Sequence, residues 1–218
     1  MIDYRAARLN MVESQLRTNK VTNESVLAVF LAVPRERFVP PALAGNAYVD
    51  SDVPLGGGRV LMQPMVLARL LQLAAISTAD RVLEIGAATG YATALLARLA
   101  ARVVALECDA GLIATARTRL KELDGANVAL VEGPLERGHP AAAPYDVILI
   151  GGAVAAIPDA IAHQLAEGGR LVTVLRTGSG MGHGVVMTRV EGVPSRRPVF
   201  DATTALLPGF EPASAFVF

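Results

Sequence analysis

A single cysteine, Cys108, is all the thiol this chain carries. An internal disulfide is therefore excluded, and a reducing compartment fits. Beside Glu107 at a strand end, packing suits the thiol better than nucleophilic attack. Net charge is missing too, because 20 Lys and Arg balance 20 Asp and Glu. No basic stripe or Lys/Arg cluster offers a footprint for nucleic acid, so no such partner is expected. The longest apolar run, Val147 to Ile157, contains two glycines and stops at Pro158. A bilayer span needs about twenty such residues, so no membrane partner is expected. The opening Met-Ile-Asp-Tyr-Arg lacks the basic-then-apolar pattern of a signal peptide. His139, His163 and His183 share no metal-ligand spacing with one another or with Cys108. The expectation is a soluble cytoplasmic protein without metal, monomeric in the absence of any heptad pattern, with 218 residues forming one well-cored domain.

What is present is concentrated in ten residues, Val82-Leu-Glu-Ile-Gly-Ala-Ala-Thr-Gly-Tyr91. An apolar strand turns through Gly86 and Gly90 into a helix, which aims backbone N–H groups at a polar ligand. Glu84 stands two residues before the first glycine. A second acid, Glu107, closes the next apolar strand about twenty residues on, the offset at which a carboxylate holds the hydroxyls of a ribose. Dinucleotide sites prefer Gly-x-Gly-x-x-Gly, and a carboxylate at the position of Glu84 would repel a pyrophosphate. It suits a cationic amino or sulfonium group instead. The pattern therefore points to S-adenosylmethionine rather than NAD, against the plainer reading of an ordinary strand–turn–helix.

Apolar runs alternate with helical patterns from about residue 80 to 175, which predicts an α/β fold with a parallel, Rossmann-like sheet and helices on both faces. Strands are expected at 81–86, 102–107, 127–131, 145–151 and 169–175, and helices at 90–100, 109–123 and 158–167, with Gly168-Gly169 closing the last. Ahead of this core (80–176) lies an extension, 1–79, with helices at Asp3–Thr18, Thr22–Val33 and Pro64–Ala75 and a long Pro/Gly-rich loop, Pro34–Arg59. After it, 177–218, two edge strands are expected near 184–190 and 214–218. Ligands of such sheets lie outside the carboxyl ends of the strands, which selects Glu84–Gly90, Glu107, Glu132–Glu136 and Gly151-Gly152.

Several blocks outside the glycine turn resemble the protein-L-isoaspartate O-methyltransferases. They are Met11-Val-Glu-Ser-Gln-Leu16, Val33-Pro-Arg-Glu-Arg-Phe-Val-Pro40, Ala47-Tyr-Val-Asp50, Pro54-Leu-Gly56, Gln63-Pro64, Ala143-Pro-Tyr-Asp146, Pro158, Gln164-Leu165 and Gly168-Gly-Arg-Leu171. The resemblance covers roughly residues 8–175. It implies methyl transfer from S-adenosylmethionine to the carboxylate of isoaspartyl residues in damaged proteins, leaving S-adenosylhomocysteine. It also implies cofactor contacts from Glu84, Gly86, Ala87, Ala88, Gly90, Tyr91, Glu107, Cys108, Gly133, Pro134 and Leu135.

The chain departs from that family at three places. The substrate loop reads Val60-Leu61-Met62, where the family carries Thr-Ile-Ser, so the hydroxyls that orient an acceptor carboxylate are gone. Arg59 is left either as a bidentate replacement or as a solvated loop charge, with Gln63 as a second loop candidate and Thr177 and Ser179 as weaker ones. Gly133-Pro134-Leu135 replaces Gly-Asp-Gly, which leaves adenine to backbone groups of Leu135 or Glu136, or to Glu132. Ala88 replaces a glycine. These changes keep two alternatives open: a methyltransferase with another acceptor, and a non-catalytic paralogue.

Overall fold

The architecture follows from which strands are apolar on both faces. In a computed structural model, which describes residues 2–123, 125–178 and 180–212, the chain opens with helix α1 (Tyr4–Met11). A wider turn (Val12–Leu16) and a tight one (Arg17–Asn19) extend it before α2 (Glu24–Ala32). Asp3 and Asn23 cap the two helices through their side-chain oxygens. Short turns at Arg35–Phe38 and Pro41–Asn46 lead to a small antiparallel hairpin, β1 (Val53–Gly56) and β2 (Arg59–Leu61), and to α3 (Pro64–Ala74). The core then runs β3 (Arg81–Ile85), α4 (Tyr91–Leu99), β4 (Arg102–Glu107), α5 (Ala110–Lys121), β5 (Val128–Glu132), β6 (Tyr145–Val154), α6 (Asp159–Ala162) and β7 (Leu165–Leu175). β8 (Gly182–Val190) and β9 (Val193–Ala202) close it.

Seven strands form one sheet in the order β5-β4-β3-β6-β7-β8-β9. The first five are parallel, and β8 and β9 run antiparallel on the far edge. Central strands such as β3 are buried on both sides after their first residue, the mark of a parallel strand covered on both faces. This is a Rossmann-like sheet. The chain leaves β3 toward β4 on one side and returns to β6 on the other, which puts the switch point between Gly86 and Gly151. The backbones approach closely there, since a Cβ on Gly151 would lie 3.1 Å from the Gly86 carbonyl oxygen.

Some sequence expectations need correction. The helix expected over 158–167 shortens to Asp159–Ala162, because Leu165 already pairs with Tyr145 in the sheet. Gly168-Gly169 therefore lies inside β7 and does not cap a helix. The loop Pro34–Arg59 contains two short helical turns and a strand that periodicity over so few residues does not reveal. The outer edge strand is Val193–Ala202; the segment 214–218, expected in that role, lies outside the described residues, as does Ser179. No described helix is long and apolar enough to cross a membrane.

Candidate functional site

The N-terminal extension is bound to the glycine turn through Tyr91, the first residue of α4. Its ring packs edge-on against Phe30 and Phe38, with centroids 6.1 and 5.4 Å away, and the Arg35 guanidinium lies 5.0 Å from its centre. Thr89 Oγ1 donates to the Phe38 carbonyl at 2.6 Å. Arg35 is fully buried and donates to the carbonyl oxygens of Ala47 (2.6 Å) and Met62 (2.8 Å). Through these bonds the segment 47–62 is laid across the switch point.

Of the two acids selected from the sequence, Glu84 is almost entirely buried and accepts a hydrogen bond from Thr93 Oγ1 at 2.5 Å. Burial raises its pKa to about 7, against the opposing pull of the Thr93 hydroxyl. Glu107 sits at the tip of β4 with no exposed surface. Ala88, held at φ +50°, turns its N–H onto Oε2 at 2.7 Å, and the N–H groups of Cys108 and Asp109 reach Oε1 at 2.8 and 3.1 Å. Desolvation pushes this carboxyl up, yet Arg59 and the backbone donors together hold it below its ordinary value.

Arg59 occupies a place the sequence did not suggest. Neither a loop charge in solvent nor an open substrate contact, it is 6% exposed and donates from Nη1 and Nη2 to the two Glu107 oxygens at 2.6 and 2.9 Å. Such a fork-on-carboxylate pairing is the strong form of the ion pair. It engages both oxygens of Glu107, the carboxylate that the sequence pattern singled out.

The rest of the crevice is also filled from within. A Cβ built on Gly86 would meet Leu207 Cδ1 at 3.0 Å and Arg59 Nη2 at 3.4 Å, and one on Gly152 would meet Leu207 Cγ at 2.6 Å. Leu207 is held there by its N–H on the Ala153 carbonyl and by Ala153 N–H on Ala205, both at 2.9 Å. Between the hairpin and the glycine turn, a cavity of about 20 Å³ remains, bordered by Val60, Met62, Glu84, Gly86, Ala88 and Gly151. That admits one water, whereas a cleft for a nucleoside-sized ligand takes roughly 300–1,000 Å³. In this conformation the space between the hairpin and the glycine turn therefore has no room for a nucleoside-sized ligand. A larger hollow of about 940 Å³, bordered by Arg81, Arg102 and Asn127, lies at the amino ends of β3–β5, the end away from the switch point.

The remaining predicted positions spread around this centre. Gly86, Ala87, Ala88, Gly90 and Tyr91 form the turn itself, and Gly133 N–H donates to the Glu107 carbonyl at 3.0 Å. Pro134 opens a short turn, Leu135–Arg137, in which Leu135 is buried. Cys108 is an exposed residue and does not pack as expected; partial desolvation of its thiol and the adjacent Glu107 carboxylate raise its pKa. Met62 is buried, and the Gln63 amide reaches Asp50 at 2.8 Å. Thr177 lies exposed beyond β7. Sequence reasoning missed Asp52, Thr204 and Leu207. Leu207 carries no chemical signal, and Asp52 and Thr204 matter only through a contact across 152 residues.

Comparison with known proteins places this geometry. The family described as Protein-L-isoaspartate(D-aspartate) O-methyltransferase (PCMT) matches residues 7–190. A protein-L-isoaspartate O-methyltransferase of Methylorubrum extorquens is 46% identical over 78% of this chain and 74% of its own length. One from Koribacter versatilis is 43% identical over 76% of this chain and 74% of its own. Among solved structures, a protein-L-isoaspartate O-methyltransferase superposes with a TM-score of 0.80 at 25% identity, over 93% of this chain and 66% of that one.

Proposed function

Since this chain belongs to the protein-L-isoaspartate O-methyltransferase family, we propose that it transfers a methyl group from S-adenosylmethionine to the carboxylate of isoaspartyl residues in damaged proteins. The observation that carries this reading is the match of residues 7–190, which takes in the N-terminal extension as well as the sheet. The extension covers the switch point and would form the peptide groove, as part of one domain with divisions near residues 79 and 176. The enzyme is read as cytoplasmic and monomeric.

An isoaspartyl carboxylate is ionised at neutral pH, so it needs orientation and loss of water more than a base. The chain's own contribution is a dry, apolar wall of Val60, Leu61 and Met62 beside the glycine turn. Arg59 of the hairpin β1–β2 occupies both Glu107 oxygens, so cofactor binding at that carboxylate is read as needing the hairpin to lift from it. The test is transfer of labelled methyl to a short isoaspartyl peptide, with the aspartyl peptide as control. Label on the isoaspartyl peptide alone is the expected result. Tight cofactor binding without label would favour a second reading, a different acceptor, which the lack of a hydroxyl at Val60 and Met62 supports.

A further inference from the structure

We propose that Arg59 and Leu207 form an internal latch that stands in for the cofactor, with the Arg59 guanidinium at the ribose position and Leu207 against the glycine turn. S-adenosylmethionine then binds only by displacing this chain's own side chains. The inference rests on the reading of that molecule as cofactor.

Three observations converge on it. Arg59 uses both terminal nitrogens on Glu107, and three backbone N–H groups use the remaining acceptor positions of that carboxylate. No lone pair is left for a diol. Leu207 and Arg59 together fill the space above Gly86, the glycine whose missing side chain would otherwise let a ligand approach the backbone. The two arms are also linked. Asp52, just before β1, accepts from Gln63 N–H at 2.7 Å through Oδ1 and from Thr204 Oγ1 at 2.7 Å through Oδ2, so the Arg59 hairpin and the Leu207 segment are tied together.

The arms differ in how firmly they are held. Leu207 is stitched to β6 by backbone bonds on both sides of Ala153, and Phe210 carbonyl accepts from Ala155 N–H at 3.0 Å. The β1–β2 hairpin has only three paired positions, with Gly57 and Gly58 at its turn in the left-handed region. Arg59 is thus the arm that releases. A carboxylate cannot pair with a guanidinium and bind a ribose diol through the same oxygens, so binding and latching are competitive, and affinity falls in proportion to the closed fraction.

The experiment is titration calorimetry of S-adenosylhomocysteine, without acceptor, against the full chain and its Arg59→Gln, Leu207→Ala and double variants, with thermal unfolding of each ligand-free protein. The latch predicts opposite signs. Arg59→Gln lowers the ligand-free melting temperature and tightens binding at least tenfold, and Leu207→Ala tightens it further. An arginine with a merely structural role would lower both stability and affinity. Equal or weaker binding by Arg59→Gln, alongside a wild type that binds, overturns the latch and leaves the cofactor reading standing. If no form binds at millimolar ligand, both fall. Should Arg59→Gln fail to fold, Leu207→Ala alone decides by the same criterion. Tighter binding without methylation of an isoaspartyl peptide would uphold the latch and reject the proposed acceptor.

Discussion

Thr204 Oγ1 donates to Asp52 Oδ2 at 2.7 Å, a bond between residues 152 positions apart that joins the hairpin carrying Arg59 to the segment carrying Leu207. Thr204 is buried and Asp52 partly so. Losing one such bond to a carboxylate costs about 1.5–3 kcal/mol. Thr204→Val keeps the shape and removes the donor, so urea denaturation should show a loss on that scale. Amide hydrogen exchange at Val60 and Leu61 should accelerate more than exchange in β3. Equal acceleration in both would mean that the bond supports the whole fold and not the hairpin.

Glu84 makes stability fall as pH rises. Its pKa is raised from 4.5 to about 7 in the folded chain, chiefly by burial, with Thr93 and the charge of Arg59 opposing and Glu107 adding to the shift. Between those values the folded state binds the extra proton, so its contribution is most favourable below about pH 4.5 and is lost by pH 7 and above. At about 1.4 kcal/mol per unit, the ceiling is roughly 3 kcal/mol. Glu107, whose pKa is lowered, works in the opposite sense: its stabilisation is present above its unfolded value and is lost as pH falls through the folded one. Melting curves from pH 5 to 8 should therefore slope downward, and Glu84→Gln should flatten them. A slope unchanged in that variant would show that Glu84 is ionised throughout.

The parallel core was legible because each of its strands is a run of apolar residues set between turn signals, and β3, β4 and β5 lie within a residue or so of where periodicity put them. Glu84 and Glu107 were legible for the same reason: a carboxylate at the end of an apolar strand has few roles. The partner of Glu107 was not. Arg59 follows three glycines and reads as loop, and only the hairpin's fold across the switch point buries it. Long-range pairing of one side chain leaves no local period to detect.

Ala88 sits at φ +50°, a region where an L side chain costs roughly 1–2 kcal/mol and glycine costs less than alanine in the folded state but more in chain entropy. Ala88→Gly should therefore stabilise by about 0.5–1 kcal/mol net. The hydrogen bond from residue 88 N–H to Glu107 survives the change, so the gain should appear as a higher urea midpoint with unchanged m. Destabilisation would mean that the methyl group's packing outweighs its backbone strain.

Arg59 and Glu107 should prove unequal when each is removed alone. Among the described residues, the Arg59 side chain donates only to Glu107, whereas Glu107 keeps the N–H groups of Ala88, Cys108 and Asp109 when Arg59 is gone. Glu107→Ala strands a buried cation, for which about 3–5 kcal/mol is typical. Arg59→Gln leaves a carboxylate still solvated by three donors and should cost roughly 1–3 kcal/mol. Chemical denaturation of both single variants and the double variant tests the difference. Removing both should cost less than Glu107→Ala alone, since no unpaired charge is then left inside. A double variant as unstable as the sum of the singles would show that the two side chains do not act as a pair.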